Sequence, residues 1–167
     1  MRRCRRRGIA AVLSLALLAS AAPGVAATRG RLLVLRADGV QLWFDVELAL
    51  DAESRRVGLM WRTQLAPRHG MWFDFESALP VTMWMKNTPV PLDMFFVATD
   101  GTIAAIHAHA EPYSLDTIMA PRPVRYVLEL AAGSAAAHEL GVGDRALLVA
   151  GDTTGAQRID GRSETLQ

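Results

Sequence analysis

The chain reads as a mainly β protein: a single domain, either a β-sandwich or a barrel-like sheet, with two short helices. Three observations predict this. Runs of alternating apolar and polar residues recur along it, as in Val40, Leu42, Phe44, Val46, Leu48 and Leu50 against Gln41, Trp43, Asp45, Glu47 and Ala49, the period-2 signature of a half-buried strand. Turn dipeptides, Asp38-Gly39, Asp100-Gly101 and Gly143-Asp144, separate such runs. Helical signals are confined to two brief capped stretches. A glycine-rich phosphate loop and a βαβ rhythm are both missing from the pattern, which argues against a dinucleotide fold.

In chain order, 31–36 is the first strand, joined through Asp38-Gly39 to the alternating strand 40–50. Asp51 caps a helix from Ala52 to about Val57, with Glu53 in its first turn, and Gly58 suits the left-handed residue that ends it. Met71, Phe73 and Phe75 alternate with Trp72, Asp74 and Glu76 in the next strand. Strands at 81–87, 92–99 and 102–110 follow. Three prolines between Glu111 and Pro123 mark an irregular loop. Val124, Tyr126, Leu128 and Leu130 then face the core, while Arg125, Val127 and Glu129 take the outward phase. Ser134 caps a helix to Leu140, Gly141 stops it, and 145–150 is the last strand.

The ends read differently. Residues 1–27 carry five arginines before Gly8, an apolar run Ile9 to Leu18 and a small-residue stretch to Ala27, the layout of an export signal peptide. The run is shorter than the ~20 residues a spanning helix needs, so no membrane span is expected after cleavage. Removing those arginines takes the formal charge from +1 to about −4, which excludes the basic excess of a nucleic-acid binder. Residues 28–150 then form one β-rich domain, in the periplasm or secreted, and 151–167 is expected to be a disordered tail. The one cysteine, Cys4, lies in the signal, so the mature chain has no disulfide, thiolate nucleophile or Cys-ligated metal.

Chemistry concentrates in Met83-Trp84-Met85-Lys86-Asn87-Thr88-Pro89-Val90-Pro91-Leu92-Asp93. Lys86 is the only lysine beside seventeen arginines. An ammonium is a compact point charge, where guanidinium is a rigid fork, so a lone lysine in an apolar run points to a specific role. Pairing 83–87 with 92–97 around Pro89-Val90 puts Lys86 opposite Asp93 and Trp84 opposite Phe95, on a common face. The functional reading is a polar-aromatic pocket of Trp84, Lys86, Asn87 and Asp93, with Arg125 and Glu129 on a neighbouring strand. The structural reading is a buried Lys86–Asp93 pair that pins the connection. His107, His109 and Glu111 share a strand face in the spacing of metal ligands, with His69 and Glu129 as further candidates; a solvated polar face is the plain alternative. Trp43 and Trp72 lie opposite the apolar stripes, either as exposed binding aromatics or beneath covering loops. Arg55, Arg56 and Arg62 read as solvated positions. No serine sits in a Gly-x-Ser-x-Gly turn, so Ser-His-Asp catalysis has no local support.

Several blocks together resemble the bacterial and archaeal family known as domain of unknown function 192. They are Glu47-Leu48-Ala49, Arg56-Val57-Gly58-Leu59-Met60, Gly70-Met71-Trp72-Phe73, Met83 to Thr88, Pro91-Leu92-Asp93, Val127-Leu128-Glu129-Leu130 and Gly141-Val142-Gly143-Asp144. The resemblance runs from about Arg31 to Val149 and implies a compact, mostly β, often exported domain. It supplies no substrate and no catalytic residue. The chain departs from the family at His107 and His109, where acidic, Asn or Ala residues are more usual. Three functions remain open. The first is a non-enzymatic binding module without cofactor for a small-molecule or polymer ligand. The second is a hydrolase-like enzyme holding a divalent transition metal on His107, His109 and Glu111. The third is a scaffold with a purely structural Lys86–Asp93 pair.

Overall fold

The computed structural model describes residues 28–152. The expected signal peptide and the tail from 153 onward lie outside the described residues. Among them are nine strands and two short helices: β1 Arg29–Leu35, β2 Gln41–Ala49, α1 Ala52–Val57, β3 His69–Leu79, β4 Thr82–Met83, β5 Leu92–Val97, β6 Ile103–Ala110, β7 Ile118–Met119, β8 Val124–Ala131, α2 Ser134–Ala137 and β9 Arg145–Asp152. Seven strands form one sheet in the order β6-β5-β8-β3-β2-β1-β9, and β4 pairs with β7 in a second. All neighbours in the large sheet are antiparallel except β2 and β3. A parallel pair needs a crossover, and α1 lies in it. The sheet curls until its two edges meet at a single bridge, Thr102 to Arg145, short of a closed barrel. No helix among the described residues is long and apolar enough to cross a membrane.

Apolar layers cover both faces of the sheet. One holds Leu32, Phe44, Trp72, Phe95, Ile103, Leu128 and Leu130; the other holds Leu59, Met71, Phe73, Met83, Met85, Met94, Phe96 and Val127. Every residue of β5 is therefore buried, as expected of a near-continuous apolar run in the middle of a two-sided sheet. The same fact corrects the outward phase expected of the β8 residues Val127 and Glu129: they face the second layer, not water. Trp72 likewise sits in the first layer, stacked on Tyr126 at 4.8 Å, and Trp43 is half-buried with the Arg31 guanidinium 4.6 Å above its ring.

Three elements differ from expectation. Only Thr82 and Met83 of 81–87 are strand, and their partner is the loop segment Ile118–Met119. β5 is flanked by β6 and β8, so it has no free edge for the expected hairpin. Met85 to Thr88 instead closes a turn, with the Thr88 N–H donating to the Met85 carbonyl at 3.0 Å and Asn87 at φ 55°. α2 is short and starts after Gly133, with no side-chain cap; the Ser134 hydroxyl donates to the Ala131 carbonyl instead. β9 runs through Asp152, two residues into the stretch expected to be tail.

Candidate functional site

The second apolar layer opens into a cleft of about 290 Å³ whose lining includes Arg55, Met60, Phe73, Trp84, Lys86 and Glu129. Its first wall comes from α1 and the turn after it. Asp51 accepts from the Ser54 N–H at 2.8 Å, and the Ser54 hydroxyl oxygen accepts from the Asp51 N–H at 3.1 Å, a reciprocal cap. Gly58 ends the helix at φ 50°, and a Cβ there would stand 3.3 Å from the Phe73 ring. Glycine alone meets both conditions without strain. Leu59 and Met60 then turn inward, and the exposed Trp61 donates its N–H to the Asn87 carbonyl at 2.7 Å. That bond ties the first wall to the second, the turn from Trp84 to Thr88.

On the second wall Trp84 is half-exposed and the Lys86 ammonium lies 5.1 Å from its ring centroid, within cation–π range. Lys86 joins none of the ion pairs among the described residues. The Asn87 amide reaches the Met60 sulfur at 3.9 Å. The other cations of the cleft are committed. The Arg55 guanidinium donates to the Leu50 and Asp74 carbonyls at 2.9 and 2.6 Å and pairs with Glu76 at 3.3 Å; Arg56 is held by Glu53 at 2.8 Å.

Glu129 forms the floor. Its ladder partners are Met71 on β3 and Met94 on β5, and it is 4% exposed. Burial pushes its carboxyl up to about 8, with no hydrogen bond and no neighbouring charge contributing. Among the described residues no sealed side-chain oxygen or nitrogen lacks a partner, so the partnerless Glu129 carboxyl is open to the cleft. Close backbone packing sets its position: a Cβ on Gly70 would lie 2.2 Å from the Glu129 carbonyl oxygen.

The structure brings Trp84, Lys86 and Glu129 together, with Asn87 alongside in the Lys86 turn. It separates Asp93 from them. Side chains alternate along β5, and Asp93 takes the phase of Phe95 and Val97, toward the layer behind the sheet. There it is fully buried and accepts from the His109 and Ala135 N–H groups at 2.9 and 2.8 Å. The expected Lys86–Asp93 pair does not form, because the hairpin that would align it does not form. Arg125 is not in the cleft lining either: it grips Asp74 through two bonds of 3.1 Å, which hold it away. His107, His109 and Glu111 are exposed around a second depression, of about 470 Å³. The pairing with β5 slips between Leu92 and Met94, and His109 bulges at φ 56°, breaking the alternation that would align the three. Among the described residues no three His, Cys, Asp or Glu side chains gather closely enough to hold a metal ion.

Sequence reasoning missed Phe73, Met60, Thr88 and the two α1 arginines as cleft residues. A signal existed: the blocks Arg56 to Met60 and Gly70 to Phe73 carry the family resemblance, and both converge on this cleft.

A curled mixed sheet, covered on both faces and cleft at one of them, defines a β-rich single-domain protein. Within that class the chain belongs to the DUF192 family, whose model, described as "Uncharacterized ACR", matches residues 33–148. No curated protein matches it. Among solved structures, a Sinorhizobium meliloti 1021 protein described as a candidate transcription regulator is 47% identical with a TM-score of 0.73, over 75% of this chain and 97% of that one. A Novosphingobium aromaticivorans DSM 12444 protein of unknown function is 32% identical with a TM-score of 0.71, over 82% of this chain and 99% of that one.

Proposed function

We propose that the protein is an exported, non-enzymatic binding module that seats a small polar ligand in the cleft between α1 and the Trp84–Thr88 turn. The observation that carries the reading is Glu129. A carboxyl 4% exposed and without a hydrogen-bond partner is costly to ionise, and here it opens into a cleft with an unpaired ammonium and an indole among its lining residues. Apolar walls with a few convergent polar groups are the usual make-up of a ligand pocket. Export rests on the arginine-rich start and the apolar run Ile9 to Leu18. The description of the S. meliloti relative points to transcription. Residues 28–152 carry eleven basic and fifteen acidic side chains, a poor match to a phosphate backbone, so the cleft reading is preferred.

A thermal-shift screen of the purified protein against amino acids, short peptides and sugars tests it. A hit raises the melting temperature in proportion to its preference for the folded state, and Trp84→Ala reduces the shift. A hit whose shift is indifferent to Trp84→Ala and Lys86→Met would remove the cleft as the site.

A further inference from the structure

Resting on that reading, we infer that the ligand is a zwitterion that enters amine first, its ammonium on Glu129 and its anionic end on Lys86. The charges of the cleft are arranged by depth. Its one carboxyl is at the floor, 4% exposed and without a donor. The cations line the walls and rim: Arg55 and Arg56 from α1, and Lys86 from the turn. The strand residues paired with Glu129, Met71 of β3 and Met94 of β5, and the strand residues that share its cleft, Phe73 of β3 and Thr82 and Met83 of β4, carry no charge. Among the described residues no cation completes the buried acid, since Arg55 is spent on carbonyls and Glu76, Arg56 on Glu53, and Lys86 stands over Trp84. A ligand ammonium supplies the missing partner at a largely buried carboxyl, where a charge-assisted hydrogen bond is stronger than in water. An amine alone would be repelled by the cationic rim, whereas an amine with a trailing carboxylate or phosphate satisfies both ends.

Binding of an ammonium by a protonated Glu129 releases one proton. Affinity therefore rises with pH until the free acid is fully ionised.

The probes are γ-aminobutyrate, butylammonium and butyrate, repeated with ε-aminocaproate and its two single-ended analogues to vary the length. Binding is read by chemical-shift changes at Phe73, Thr88 and Glu129 of the full protein. The zwitterions bind best, with Kd falling about tenfold per pH unit from pH 6 to about 8 and level above it. Glu129→Gln flattens that slope, and Lys86→Met weakens the zwitterion while tightening the alkylammonium, which no longer meets the rim charge. In the wild type, which needs no variant to fold, the Glu129 carboxyl carbon titrates lower when the zwitterion is saturating. Butyrate binding best, or a zwitterion affinity indifferent to pH, overturns the amine-first assignment and leaves the cleft reading intact. Alkylammonium binding as tightly as the zwitterion overturns the role of Lys86. Cleft residues unmoved by all six probes overturn both the inference and the reading it rests on.

Discussion

Replacing Glu129 with Gln isolates the energetics of the buried acid. In the folded chain its carboxyl is pushed from the ordinary 4.5 up to about 8, so between those values the folded state holds a proton that the unfolded state has lost. Stability changes with pH in proportion to protons bound unfolded minus folded. That difference is negative here, so stability falls as pH rises from 4.5 and levels off above about 8. At ~1.4 kcal/mol per pH unit the gap integrates to roughly 5 kcal/mol, an order-of-magnitude ceiling. Gln keeps the shape and cannot ionise. Urea unfolding at pH 5, 7 and 9, followed by tryptophan fluorescence, compares the two proteins. The wild type loses several kcal/mol more than the variant across that range, and at pH 9 Glu129→Gln is the more stable protein. Subtracting the curves cancels every contribution common to the two proteins. Parallel curves would mean that the acid has a partner or reaches water, and the argument for the cleft would lose its main support.

Three further perturbations follow from the same coordinates. Asp93→Ala strips two backbone donors of their acceptor and costs about 3 kcal/mol; adding Lys86→Met leaves a coupling energy below ~0.5 kcal/mol in a double-mutant cycle. A coupling above about 1 kcal/mol would restore the ion pair that the geometry rules out. Gly70→Ala drives a methyl into the Glu129 carbonyl and the Leu130 side chain, costing roughly 3 kcal/mol and displacing the cleft floor. Chemical denaturation with unchanged stability would refute that packing. Asp144→Ala frees the Ala37 and Gly141 N–H groups, accepted at 2.9 and 2.8 Å, for about 2 kcal/mol, and hydrogen exchange at those two amides quickens before the rest of the sheet.

Local signals carried most of the fold. Helix α1 was legible to the residue because Asp51 and Gly58 bracket it, and both act through bonds to chain neighbours. The turns at Gly39, Gly101 and Gly143, with φ of 89°, 87° and 99°, were legible for the same reason. The stretch 81–87 was not, since its alternation fits a strand and only the distant claim of β6 and β8 on β5 denies it an edge. Nor was the depth of Glu129: alternation assigns it a face, and burial depends on whether something covers that face. Here α1 and β4 line the cleft above it, 72–77 and 46–47 residues earlier in the chain. Trp84 and Lys86 were found from composition and local setting, which survive an error in register. Asp93 was placed by register alone, and it moved when the register did.

Asp93 and Glu129 are two buried acids that the fold treats differently. Both sit on central strands of one sheet, at 0% and 4% exposure. Asp93 receives two backbone N–H groups, so its burial is compensated within the fold and exchanging it for an apolar residue breaks something. Glu129 receives none. An apolar residue of similar volume there would remove a desolvated carboxyl and fill the cleft floor, so folding alone favours the exchange. Stability therefore does not account for a glutamate at that position, and under the proposed reading the compensation comes from the ligand. The residue the fold can least use is thus the one that best defines the site.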